Sequence, residues 1–380
     1  MGEWKEYKLS DIATEIGDGL HGTPRYSIDG NCYFINGNNI VNGKVIIKDD
    51  TKRISDVEFD LYKKPLFDRT VLLSINGTIG NVGLYNGEKC ILGKSVCYLN
   101  IKNSVDKRFI YYTFLSNSFQ THLRNIATGT TILNVPLKIL RETVILLPSL
   151  DEQKRIASIL SSLDDKIDLL HRENKTLEAM AETFFRKWFI EEVRQEVSLG
   201  NVVETTSGGT PSRQHEEYYQ NGDIDWVKSK ELNRSFILKT EEKITSEAVE
   251  NSSAKYLPAN SVLIAMYGAT VGEYAIIAKE MTCNQAVCAL KPNDNYPYTY
   301  LYVWAKFMQD EFLNLACGAA QQNISQVLIK QQQVCGDEDA IKQFHSIVEP
   351  FFEKIKQNEI QLSSLEEMKN MILPKLMNNE

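Results

Sequence analysis

Two stretches of this sequence carry the same long apolar seam, 188 residues apart. In the first, Ile156, Leu160, Leu163, Ile167, Leu170, Asn174, Leu177, Ala181, Phe184 and Trp188 recur at alternating spacings of four and three. In the second, the matching positions are Phe344, Val348, Phe351, Ile355, Asn358, Leu362, Leu365, Lys369, Ile372 and Leu376. Such a recurrence keeps one narrow apolar stripe on one helix face, and that stripe is buried best by a second helix of the same kind. Two seams in one chain predict an intramolecular coiled coil of two helices, each about 40 residues and about 60 Å long. The alternative is two amphipathic helices packed separately on their own domains.

The direction of pairing follows from two arguments. The block between the helices, of about 145 residues, should be only about 38 Å across. It cannot easily carry the chain back to the far end of the first helix, so the helices should run antiparallel. The polar interruptions agree. In a parallel pairing Asn174 faces Leu362 and Asn358 faces Leu170, leaving two buried amides badly paired. In the antiparallel pairing Asn174 faces Asn358, Ala181 faces Phe351 and Leu170 faces Leu362, so Asn174 and Asn358 are predicted to set the register. Leu163 opposite Lys369 is the one awkward layer, where a long lysine can snorkel outward. The first helix should start at the capping box Ser149-Leu150-Asp151-Glu152, with Ser149 as N-cap and Glu152 three positions on.

The seams belong to a larger repeat of about 190 residues. "HGTPR" (21–25) matches "GGTPSR" (208–213), and "YFINGNNI" (33–40) matches "DWVKSKEL" (225–232) in pattern. "LLSINGTIGNVGLY" (72–85) matches "LIAMYGATVGEYAI" (263–276), and "GTTILN" (129–134) matches "GAAQQN" (318–323). Short β-branched runs alternate with Gly/Asn/Asp turns, and helical stretches follow at 107–125 and 298–315. The fold class expected is α+β: two repeated mixed α/β domains (1–149 and 193–335) separated by the paired helices (150–192 and 336–380), with pseudo-two-fold symmetry.

Charge is unevenly spread. The net formal charge is −8, yet residues 1–149 carry eighteen Lys and Arg against fifteen Asp and Glu. Residues 193–335 carry twelve against sixteen. Total charge does not decide nucleic-acid binding; a local patch does. The seven cysteines show no Cys-x-x-Cys spacing and the five histidines form no ligand pair, so no metal is expected. With no charged-then-apolar leader and no apolar run near about 18 residues, a soluble cytoplasmic protein without a membrane segment is expected.

"SGGTPSRQHEEYYQNGDIDWVKSKEL" (207–232), "GTTILNVPLKILRETVILLPSLDEQKRIASIL" (129–160) and the two long helices together resemble the specificity subunit of type I restriction-modification enzymes. The resemblance covers essentially the full length. It implies two target-recognition domains, each reading one half of a bipartite double-stranded DNA target. The helices then act as spacer and dock two methyltransferase subunits. Those partners bind S-adenosylmethionine and methylate adenine, with restriction subunits as optional additions. The chain itself is implied to be non-catalytic and to hold no cofactor. The second unit departs from the pattern, because "VCGDEDAIKQF" (334–344) lacks the Leu-Pro and Glu-Gln of "LLPSLDEQKRI". Two other readings are a recognition subunit of a fused, type IIB-like system, and a coiled-coil adaptor that binds only proteins.

Two stretches that look like enzyme motifs do not carry the chemistry. "GEKCILGKS" (87–95) has five residues between its glycines where a phosphate loop needs four, and reads as strand and turn. "NVPL" (134–137) resembles the Asn-Pro-Pro-aromatic tetrapeptide of amino-methyltransferases but fails at both key positions. DNA contact needs polar loop residues: Arg and Lys suit guanine, Asn and Gln suit adenine, and hydroxyls suit phosphate. The candidates are Thr23, Arg25, Asn36, Asn38, Asn39, Asn76, Thr78 and Lys94 in the first unit. In the second they are Thr210, Ser212, Arg213, Lys228, Lys230, Tyr267 and Thr270. Gly/Asn/Thr loops also make ordinary turns, which is the competing role for each.

Overall fold

A computed structural model describes residues 4–233, 235–317 and 323–377. They fall into two compact units, one of residues up to 166 together with those from 365, the other of residues 167–364. Each unit thus contains one globular block and a portion of both long helices.

In the first unit, Ala13–Asp18, Val96–Ile101, Thr70–Ser74 and Val82–Leu84 form an antiparallel sheet in that order. Thr70–Ser74 and Val96–Ile101 are buried along their whole length, which suits their continuous apolar runs. A smaller sheet places Cys32–Ile35 between Arg53–Ile54 and Cys90–Leu92, the last pairing in parallel. "GEKCILGKS" therefore is a buried strand followed by a turn. Helices Lys107–Leu115 and Asn117–Ile126 follow.

The second unit repeats this order. Glu204–Ser207, Val287–Lys291, Val262–Ala265 and Tyr274–Ile277 make the main sheet, with Phe236–Ile237 added at its edge. Lys243–Ile244, Ile224–Val227 and Thr282–Cys283 make the smaller one. The equivalence reaches single atoms. A Cβ added to Gly19 would lie 2.1 Å from Leu92 O, and one added to Gly208 would lie 1.9 Å from Cys283 O. Both positions are restricted to glycine by the same close backbone approach.

The helical stretches at 107–125 and 298–315 each break into two helices. Ser116, in extended backbone, stops one helix and caps the next by accepting from Phe119 N. Met308 interrupts the second pair, Tyr298–Phe307 and Gln309–Cys317. Periodicity alone hid both breaks because the apolar pattern runs through them.

The long helices are Leu150–Phe185, continued by a π turn at Arg186–Ile190, and Glu338–Met377. In the first unit, Ile156, Ala157 and Leu160 share a core with Met377, and Ile372, Leu373 and Leu376 pack beside them. In the second, Ala181 and Phe185 share a core with Phe344, Val348, Phe352 and Ile355. Asn358 Nδ2 donates to Asn174 Oδ1 at 2.8 Å, and the Phe184 and Phe351 rings lie 6.5 Å apart. As one index rises the other falls, so the helices are antiparallel and in the expected register.

Details of the seam differ. Phe351 is only half-buried, while Phe352 is fully buried against Tyr298 and Tyr302, at 6.0 and 5.3 Å. This helix serves the domain core as well as its partner helix, which rotates the buried face. Lys369 does not snorkel away; it pairs with Asp164. Only half of the capping box forms. Glu152 N donates to Ser149 Oγ at 3.4 Å, but the Glu152 side chain is bound by Arg155.

The departure at the second helix start has a structural counterpart. At the first helix, Gln153 Nε2 donates to Pro148 O (2.9 Å), and Asp106 N donates to Gln153 Oε1 (3.0 Å). At the second, Asp337 Oδ1 accepts from Ala340 N (3.0 Å), and Arg194 pairs with Asp337. The "GAAQQN" match (318–323) lies outside the described residues except for Asn323.

Asn174 and Asn358 are 6% and 1% exposed, and each also reaches a glutamate: Asn174 Nδ2 donates to Glu359 (2.9 Å) and Asn358 Nδ2 to Glu173 (3.0 Å). Truncating either amide strands a buried partner, so Asn174→Ala and Asn358→Ala should each destabilise by roughly 1–3 kcal/mol. In a double-mutant cycle read by chemical denaturation they should couple by about 0.5–3 kcal/mol. Strict additivity would contradict a direct pairing.

Candidate nucleic-acid interface

The smaller sheet of each unit organises the loops that carry most of the candidate residues. In the first unit, Lys94 N donates to Leu20 O (2.9 Å), Ser95 Oγ donates to Asn36 Oδ1 (3.1 Å), and Asn81 Nδ2 donates to Gly37 O (2.9 Å). These bonds draw together the loops around residues 20–25, 36–39, 76–81 and 93–95. Within this cluster the asparagines divide into two groups. Asn39 is buried: its Oδ1 accepts from Asn36 N, and its Nδ2 donates to Ile46 O and Thr51 Oγ1. Asn76 Nδ2 donates to Asn134 Oδ1 at 3.1 Å. Asn36, Asn39 and Asn76 therefore staple loops, and reading a base with any of them would cost an internal bond. Asn38, Thr23, Arg25, Thr78 and Lys94 are exposed.

In the second unit the cations are already engaged. Arg213 grips Glu242 with both Nη nitrogens, the Nη2 contact at 2.9 Å. Its guanidinium lies 4.0 Å above the Tyr219 ring and 5.5 Å from the Trp226 ring. Lys228 Nζ reaches Glu242 Oε2, the oxygen that also accepts from Arg213 Nη2, at 2.5 Å and lies 5.5 Å from the Trp226 ring. Lys230 pairs with Glu241. Trp226 Nε1 donates to Gly209 O (3.0 Å), which ties this cluster to the loop bearing the exposed Thr210 and Ser212. Tyr267 and Thr270 sit on a separate turn that bridges to Asn323. Gly268 there has φ +70°, the left-handed value a glycine accommodates freely, as does Gly77 in the first unit at +72°.

Three residues that loop composition did not single out belong here: Lys52, Glu242 and Tyr219. A signal existed, since "TKRIS" (51–55) and "EEKIT" (241–245) are another aligned pair of the repeat. The hydrogen bond from Arg213, opposed partly by burial and reinforced by Lys228, pulls the Glu242 carboxyl down to about 2. Among the described residues there is no group of His, Cys, Asp and Glu that could hold a metal ion. No helix among them is long and apolar enough to cross a membrane.

Duplicated α+β domains, each leading into one of two antiparallel helices, define a class of two-domain recognition proteins. The model of the type I restriction-modification DNA specificity domain matches residues 1–179 and again 191–335, and the chain belongs to this family. The specificity subunit of the type I restriction enzyme MjaIX from Methanocaldococcus jannaschii is 26% identical over 337 residues, 82% of this chain and 77% of that protein. The HindI specificity subunit from Haemophilus influenzae is 22% identical across the full length of both. The crystal structure of a type I S subunit from M. genitalium shares the fold, with a TM-score of 0.66 at 19% identity, over 99% of this chain and 96% of that one.

The Glu242 cluster has an acid signature. Its folded carboxyl titrates below its ordinary value of 4.5, so its stabilisation is complete above that value and fades as pH falls toward about 2. The stability gap between the native chain and Glu242→Gln should therefore narrow from about pH 5 to about pH 2. Urea midpoints measured across that range check this; a gap independent of pH would contradict it.

Proposed function

We propose that this chain is the DNA sequence-specificity subunit of a type I restriction-modification system and performs no chemistry itself. Each domain reads one half of a bipartite target on double-stranded DNA. The helix pair sets the gap between the halves and docks two methyltransferase subunits, with restriction subunits joining where the system cleaves. S-adenosylmethionine and the methylated adenine belong to the methyltransferase partners in this reading. The observation that carries it is the duplication. Two domains built on the same order of main and small sheets each gather polar loops around a small sheet, and each leads directly into one long helix.

Within the first domain, Arg25, Asn38, Thr23, Thr78 and Lys94 are the residues assigned to DNA, since their side chains are exposed on converging loops. In the second, Thr210, Ser212, Lys230, Tyr267 and Thr270 take that role, with Arg213 and Lys228 acting from the Glu242 cluster. Asn36, Asn39 and Asn76 shape the loops that present their neighbours. Arginine forks guanine and lysine contacts phosphate as a point charge, so the exposed cations serve both readout and positioning.

The test is co-expression with a methyltransferase of the same system and mapping of modified adenines. A two-part motif with a fixed gap is expected. Exchanging residues 1–149 for those of a relative should change one half only; change in both halves or neither overturns the modular reading. Removing one heptad from both helices together should alter the gap or abolish methylation, whereas an unchanged gap with full activity would rule out the spacer role.

A further inference from the structure

The two domains carry opposite charges at one equivalent backbone position. In the first, Phe34 N donates to Lys52 O at 2.9 Å; in the second, Trp226 N donates to Glu242 O at 3.3 Å. The flanking pairs agree, Cys32 with Ile54 and Tyr33 with Arg53, against Ile224 with Ile244 and Asp225 with Lys243. Lys52 and Glu242 thus occupy the same step of the same small sheet. Near Lys52 in the backbone, Lys48 shares its turn and Arg25 precedes the Tyr26 bridge to Ile54; both are exposed. Among the described residues none of these three side chains forms an ion pair, although Glu58 Oε2 accepts from Arg25 N at 3.1 Å. Around Glu242, both neighbouring cations are held. Arg213 stacks on Tyr219 and grips both carboxylate oxygens, and Lys228 shares Oε2 with it.

A carboxylate gripped by an arginine fork and a lysine presents its oxygens much as a DNA phosphate would. Building on the DNA-specificity reading, we infer that Glu242 is an internal stand-in for a phosphate. It keeps Arg213 and Lys228 oriented and neutralised, so the second domain has little sequence-independent hold on DNA. The first domain supplies that hold through Arg25, Lys48 and Lys52. Glu242 is then a positioning residue that determines specificity by withholding two cations from non-specific binding. Non-specific affinity grows with the number of cations that displace counterions from phosphates, and a cation already matched by a carboxylate adds little to that number. A phosphate approaching Arg213 must also displace a like-charged group.

The experiment measures binding of the full chain to a 40-bp duplex of scrambled sequence from about 50 to about 200 mM salt. Glu242→Gln frees up to two cations. It should tighten non-specific binding at the low-salt end and steepen the log–log salt slope by about 1–2, an extra loss of up to about tenfold across that range. Glu242→Asp should keep the native slope, and Lys52→Glu should weaken binding and flatten the slope by about 1. Damage to the loops would weaken binding without steepening the slope, so the sign of the change separates the proposed role from a merely structural one. If Glu242→Gln leaves the slope unchanged while the native chain binds, the stand-in role is overturned and the DNA reading stands. If the native chain binds no duplex at any salt and directs no bipartite methylation, both fall.

Discussion

The buried amide pair Asn174–Asn358 is the constraint on which the rest of the helix pairing depends. Two primary amides held at 1–6% exposure are tolerable only if every donor and acceptor finds a partner. Here each amide meets the other or a glutamate of the opposing helix, so the four residues Glu173, Asn174, Asn358 and Glu359 form one crosswise network. Slipping the helices by a turn would set an amide against leucine and break the amide–glutamate bonds. Apolar layers alone tolerate such slips, because one leucine packs about as well as another. Polar layers do not, and one of them specifies the register of the whole seam. Both cores use that register: Ile156 and Leu160 beside Met377 in one unit, Ala181 and Phe185 beside Phe344 and Val348 in the other.

Around this seam the two domains conserve architecture while changing chemistry. The small sheet recurs with its parallel pairing intact, yet one domain places Lys52 where the other places Glu242. The helix starts differ in the same spirit. Gln153 links the first helix to the Asp106 cap, while Asp337 caps the second and is anchored by Arg194. Backbone geometry is maintained by buried apolar runs and glycine close approaches such as Gly19 and Gly208. Loop side chains are free of that constraint, and there the duplicated halves diverge in what they can bind.

Much of the fold was legible from periodicity. Heptads, a repeat of fixed order and the polar layer sufficed for domain class, helix pairing and direction. The failures were local. Ser116 and Met308 break helices whose apolar pattern runs on unbroken, because a capping hydroxyl or a change of backbone direction leaves no trace in periodicity. Phe352 rather than Phe351 is buried because a second surface, Tyr298 and Tyr302, competes for the same helix. The loop residues were the least legible. Composition marked Asn36, Asn39 and Asn76 as contacts, and the folded chain uses them as staples.

The sequence by itself determined that two helices pair antiparallel with Asn174 on Asn358, and that each follows one copy of a duplicated α+β domain. Those features rest on spacing along the chain, and spacing is preserved when only the one-dimensional order is known. Which loop groups remain available to a ligand was decided by tertiary structure alone. Arg213 and Glu242 are 29 residues apart, and nothing in their local sequence ties one to the other. Only the fold of the small sheet brings the guanidinium, two aromatic rings and the carboxylate into contact. Short-range charge and hydrogen-bond energies depend on that closeness in space.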